Sequence, residues 1–233
     1  MLGLSVMPAI AQQRVVSLGT TPAFAALDAD GAHGVLVRLV QAMDKASASS
    51  SRIVIRPFGR SLQETADAHA SFHLPLIQLG DMPAPAGLAY VKEVDFGHVN
   101  FVIYSSRRAP LRAKDLAYMK RIEVEPGHEA LFPFPVRASY CLACSLRKVT
   151  MGRIDALLVS SHAADPLLNR FEFGEIHRAL YGVFPVRAVV PSQGDSTETR
   201  RYLIEAARRI KDNGDFERIF RYAPYTDWQP ALR

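Results

Sequence analysis

The sequence predicts an α/β fold of two lobes joined by two crossover strands. Three observations carry this. Residues 14–76 alternate short β-branched strands with amphipathic helices, and the short links between them imply parallel strands with helices on both faces. A Pro/Gly-rich stretch at residues 80–87 interrupts that order, and a second α/β series starts near residue 99. The chain then returns to helices at its end, which would complete the first lobe from both chain ends. The expected division is lobe one at residues 13–98 plus 192–233 and lobe two at residues 99–191, with crossovers near 99–104 and 186–190.

Each element has a local reason. Residues 14–18 (RVVSL) read as a first strand. The loop at 19–32 carries Pro22, Gly31 and the acids Asp28 and Asp30 as breakers. Over residues 35–45, Val35, Leu36, Leu39, Val40 and Met43 recur at helical spacing. Residues 52–56 (RIVIR) alternate as a strand does. A helix is expected over 60–68, starting near Ser61 with Glu64 at capping-box spacing, then a third strand over 71–76. In the second series, strands are expected at 99–104, 121–124, 154–159 and 185–190, with a helix at 139–150. A long helix at 197–213 ends at Gly214, a short one follows at 216–222, and the aromatic tail at 225–230 (YTDWQP) is expected to pack down.

Composition narrows the function class. Over 233 residues, 48% apolar and 22% charged is ordinary for a globular chain. No run reaches the ~18 apolar residues of a membrane span. The net charge of +5 is spread out. Its densest clusters, Arg107-Arg108 and Arg208-Arg209, are flanked by acids or apolar residues, which reads as a solvated surface and not as a nucleic-acid footprint. A mildly basic cleft favouring an anion stays open. Residues 1–12 end in a small-residue pattern before Gln12 and read as the remnant of an export signal, giving a soluble periplasmic chain; a short apolar strand is the alternative. Cys141 and Cys144 lie on the expected helix at 139–150 as buried or partly buried free thiols, a small disulfide, or a redox or metal pair.

Several short motifs occur in a telling order. They are Thr21-Pro22-Ala23-Phe24 followed by Gly31 and Gly34; Arg60-Ser61-Leu62 leading to Asp67 and His73; Glu125-Pro126-Gly127-His128; Gly152-Arg153-Ile154-Asp155-Ala156; and Asn213-Gly214 before a last short helix. In this order the chain resembles family 3 of the periplasmic solute-binding proteins, the polar amino-acid type, over nearly its whole length. The resemblance implies the type II periplasmic-binding fold and capture of a small ligand by lobe closure. Two departures matter. The family's carboxylate-clamping Arg would fall at residues 83–87, which read PAPAG, and its ammonium-binding Asp is replaced by Ser160. Both halves of a zwitterion clamp are therefore missing, and a divergent branch with a non-zwitterionic ligand is expected.

Candidate ligand residues follow from strand ends and the loops after them, where α/β sheets collect ligands. They are Phe24, His73, Pro75 and Leu76 on the first lobe, and Gly127, His128, Ser139, Tyr140, Ser160 and His162 on the second. Each has a structural alternative: Phe24 a plug over the first strand, His73 a hydrogen-bonded core residue, Ser139 an N-cap. The partners expected are a small molecule and either an ABC permease or a membrane sensor, with a monomeric chain, no nucleic acid, no cofactor and no metal. An enzyme of the dehydratase kind on the same scaffold is the remaining alternative, for which Glu125 is the one acid placed on a cleft loop.

Overall fold

A computed structural model describes residues 13–21, 24–170, 173 and 175–220. The expected signal remnant at 1–12, Pro22 and Ala23 of the first motif, and the aromatic tail at 225–230 lie outside the described residues.

The first series runs as β1 (Arg14–Gly19), the hairpin β2 (Ala26–Asp28) and β3 (Gly31–His33), α1 (Val35–Ala46), β4 (Ser51–Arg56), α2 (Phe58–Ala66) and β5 (Phe72–Ile77). A short β6 (Leu88–Tyr90) and the long β7 (His98–Ser106) follow. The second series is β8 (Ile122–Val124), β9 (Arg137–Ala138), α3 (Leu142–Thr150), β10 (Ala156–Ser160) and α4 (Ser161–Arg170). The chain returns through β11 (Ile176–Pro191) and ends in α5 (Thr197–Asp212) and α6 (Asp215–Phe220).

Among the described residues the main sheet has the order β4-β1-β5-β11-β7-β10-β8-β9, with β6 added on β11. β1 pairs parallel with β4 and β5, and β8 pairs parallel with β10 and β9. The two long strands are the exceptions. β7 and β11 run antiparallel to one another; β11 also runs antiparallel to β5, and β7 to β10. These are the two crossover strands, which bind one half of the sheet to the other.

The strands read as apolar runs because both faces are covered. In β10, Ala156 and Leu158 join the large core that continues through the first series, while Leu157 and Val159 join a second core under α3 and α4. β7 divides in the same way: Phe101 and Ile103 to one side, Val102 and Tyr104 to the other. α1 buries Val35, Leu36, Leu39, Val40 and Met43, the stripe its spacing predicts, and α5 packs on it through Leu203, Ala206 and Ile210. Asp44, near the end of α1, accepts hydrogen bonds from Ser51 N–H (2.8 Å), Ser51 Oγ (2.9 Å), Ser49 Oγ (3.1 Å) and Tyr202 Oη (2.7 Å).

Some local expectations differ from the structure. α2 starts at Phe58 behind Pro57, so Glu64 forms no capping box; it accepts instead from Arg56 Nε (3.2 Å) and Arg60 Nε (3.0 Å). α3 starts at Leu142 rather than residue 139, capped by Cys141, whose sulfur accepts from the Cys144 N–H. Cys141 and Cys144 form a disulfide, exposed on the surface. α4, which contains Pro166, was not expected, nor was the early start of β11 at Ile176.

Candidate functional site

The parallel strands direct their C-terminal ends to one place. Past β1 come Thr21 and Phe24; past β4, Phe58; near the end of β5, Pro75 and Ile77; past β8, Glu125 and His128; past β10, His162; and all of these, with Ser160, line one cavity. Val99 and Phe101 of β7 and Val186 of β11 form its floor between the two sides. The cavity opens to one side, and its space is about 40 Å³, room for a few water-sized groups.

The two sides meet through rings. Phe58 stacks on His128 with centroids 4.5 Å apart, and Phe24 meets His162 at 4.9 Å. Phe101 lies 5.6 Å from the His128 ring. Backbone closes in too: a Cβ on Gly127 would stand 2.9 Å from Leu62 and 3.0 Å from Phe58, and Gly127 has φ +90°, so only glycine fits this contact.

Electrostatics inside the cavity follow from burial. His128 is 4% exposed and pushed down to about 4, so its ring is neutral at pH 7. Its Nδ1 is buried without a hydrogen-bond partner. Glu125 keeps partial exposure as a residue, yet desolvation pushes its carboxyl up to about 7. No described side chain pairs with that carboxyl, and Glu125 is the one carboxylate among the lining residues, beside the imidazoles of His128 and His162.

The candidates from the sequence divide into two groups. Phe24, Pro75, His128, Ser160 and His162 come together around the cavity. His73, Leu76, Gly127, Ser139 and Tyr140 are not among its lining residues. His73 is the second residue of β5 rather than a strand end, and it is wholly buried. Its Nε2 can only donate to the Pro75 carbonyl (2.9 Å), so Nδ1 accepts from Ser61 Oγ (2.6 Å), which in turn bonds Ser17 Oγ (2.8 Å). Burial, with His128 nearby, pushes this imidazole down to about 3, and it serves as a structural link between β1, α2 and β5. Leu76 points to the opposite face of β5 from Pro75 and Ile77, as strand alternation requires.

The backbone N–H groups of Gly127 and His128 are already satisfied. Gly127 N–H donates to Glu129 Oε2 (2.6 Å) and His128 N–H to the Glu125 carbonyl (3.2 Å). Ser139 shares a hydrogen bond with Ser145 Oγ (2.5 Å), which donates to Glu123 (2.6 Å), and Lys148 closes that network on Glu123 (2.7 Å). Tyr140 is 89% exposed. Lining residues outside the candidate set are Thr21, Phe58, Ile77, Val99, Phe101, Glu125 and Val186. Thr21 belonged to the first motif, Val99, Phe101 and Val186 to the expected crossovers, and Glu125 to the loop after a strand, whereas Phe58 and Ile77 were not singled out.

With the geometry in place, the fold has clear relatives among solved structures. The arginine-, lysine-, histidine-binding protein ArtJ from Geobacillus stearothermophilus matches at TM-score 0.70 and 13% identity, over 94% of this chain and 97% of that one. A putative L-cystine ABC transporter from Listeria monocytogenes matches at 0.70 and 16%, over 94% and 98%. A histidine kinase sensor domain with similarity to periplasmic binding proteins matches at 0.68 and 17%, over 89% and 94%. No family model and no curated protein matches the sequence. The chain therefore has the two-lobed type II periplasmic-binding fold. No described helix is long and apolar enough to cross a membrane.

Proposed function

We propose that the chain is an exported receptor that captures one small, non-zwitterionic molecule between its lobes and hands that event to a membrane partner. The lobes in this reading are residues 13–98 plus 192–233 and residues 99–191, and they hinge at β7 and β11. The carrying observation is the cavity where strand ends from both sheet halves converge, lined by Phe24, Phe58, Phe101 and His128 with no Arg or Lys among them. Arg187, beside Val186 in β11, faces the other way and donates to the Val94 carbonyl (2.6 Å). An α-carboxylate thus finds no cation in the cavity, and the loss of such a charged hydrogen bond costs about 1.5–3 kcal/mol.

The partner in the first reading is an ABC permease. A sensory partner is the second reading, supported by the likeness to a kinase sensor domain. Calorimetric titration with the common L-amino acids tests the ligand side. The expected outcome is no binding tighter than millimolar; micromolar binding of any of them would overturn the non-zwitterionic reading.

A further inference from the structure

We infer that the cavity is built for a small organic cation without a carboxylate, an alkylammonium or arylammonium, with Glu125 as its counter-ion and the rings of Phe24, Phe58 and Phe101 around its apolar part. This rests on the reading of the cavity as a ligand site.

A carboxyl in an apolar cavity has three ways to avoid an unpaired charge: a protein cation, a proton, or a cation from outside. The first is absent among the described residues, since Glu125 makes no ion pair and no side-chain hydrogen bond. The second is favoured by burial, which pushes the carboxyl up to about 7. A ligand ammonium supplies the third, and its entry releases that proton. His128 is neutral, and His162 lies against the Phe24 ring (4.9 Å). Of the two lining hydroxyls, Thr21 Oγ1 donates to the Gly19 carbonyl (3.3 Å), and the Ser160 hydroxyl, which makes no side-chain hydrogen bond among the described residues, could accept from an ammonium N–H. Phenylalanine faces favour a cation over an anion through their quadrupole. An anion would meet the opposite: a carboxylate, three phenylalanine rings and loop N–H groups already bound to Glu129 and to the Glu125 carbonyl. The space of about 40 Å³ limits the ligand to a few heavy atoms unless the lobes part further.

The test uses three molecules of one shape: isobutylammonium, isobutanol and isobutyrate. Binding to the full chain is measured by ligand-observed NMR and calorimetry at pH 7.5, with wild type and Glu125→Gln. The amine is expected to bind at least tenfold tighter than the alcohol, and isobutyrate more weakly than both. In Glu125→Gln, confirmed folded by circular dichroism, the amine's advantage over the alcohol should vanish while alcohol binding persists. Equal or tighter binding of the alcohol or the acid to wild type would overturn the cation proposal and leave the cavity standing as a ligand site. An unchanged amine preference in Glu125→Gln would overturn the role of Glu125. Binding of none of the three overturns this proposal, and Phe58→Ala with a ligand from a wider screen then decides separately whether the cavity binds anything.

Discussion

At the scale of single residues, three buried titratable groups set a pH profile of stability. Glu125 has a folded pKa of about 7 against 4.5 unfolded, so the folded state holds more protons in that window and stability falls as pH rises through it. His73 and His128 stand at about 3 and about 4 against 6.5, so their contribution is present above pH 6.5 and is lost as pH falls toward those values. Below pH 6.5 the two imidazoles outweigh the one carboxyl, so the contribution of these three groups falls by about 1.4 kcal/mol per pH unit down to pH 4.5. Denaturant unfolding should therefore show maximal stability near pH 6.5. Glu125→Gln should stabilise the protein by up to about 3 kcal/mol at pH 8 and by under about 1 kcal/mol at pH 5. A flat difference across pH would show that the carboxyl is solvated. The residues themselves were only half legible. Phe24, His128 and Ser160 could be placed from the strand before them. His73 could not, because sequence does not reveal that Ser17, Ser61 and the Pro75 carbonyl stand ready to bind its ring.

At the scale of elements, periodicity located most helices and strands, and tertiary partners set their ends. The stripe in α1 was readable because burial follows spacing. The start of α3 was not, since it depends on Cys141 capping the helix and on the disulfide to Cys144. α4 was obscured by Pro166. Two carboxylates illustrate how little a sequence position says about weight. Glu64 pairs with Arg56 and Arg60, of which Arg60 is well exposed, and Glu64→Gln should cost under about 1 kcal/mol. Asp44 joins α1, the start of β4 and α5 through four hydrogen bonds, and Asp44→Ala should cost about 2–4 kcal/mol by leaving several donors unpaired. Urea titrations of both variants check this; equal costs would mean that Asp44 is no more than a surface charge.

At the scale of the whole molecule, the two-lobed fold was readable from motif order even though identity to the solved relatives is only 13–17%. Order survives because each motif sits where a strand must end or a helix must begin. Ligand chemistry did not survive in the same way, since it depends on which side chains meet across the cavity, and Phe58 with His128 is a pairing no local pattern announces. One feature of the architecture also governs how the chain is made. The apolar face of α1 is covered by α5, and Asp44 meets Tyr202 across 158 residues. A ribosome therefore releases the first helix long before its cover exists. Until the last helices emerge the early segment has no native resting place, and contacts so distant in sequence close slowly. In the proposed reading of the chain as an exported receptor, that delay favours the unfolded state a secretion channel accepts. A chain ending at residue 191 should accumulate as aggregate that binds a hydrophobic dye, and supplying residues 192–233 as a separate peptide should restore soluble protein. If the shortened chain is soluble and cooperative by itself, α1 is covered by something else and the early segment matures without waiting.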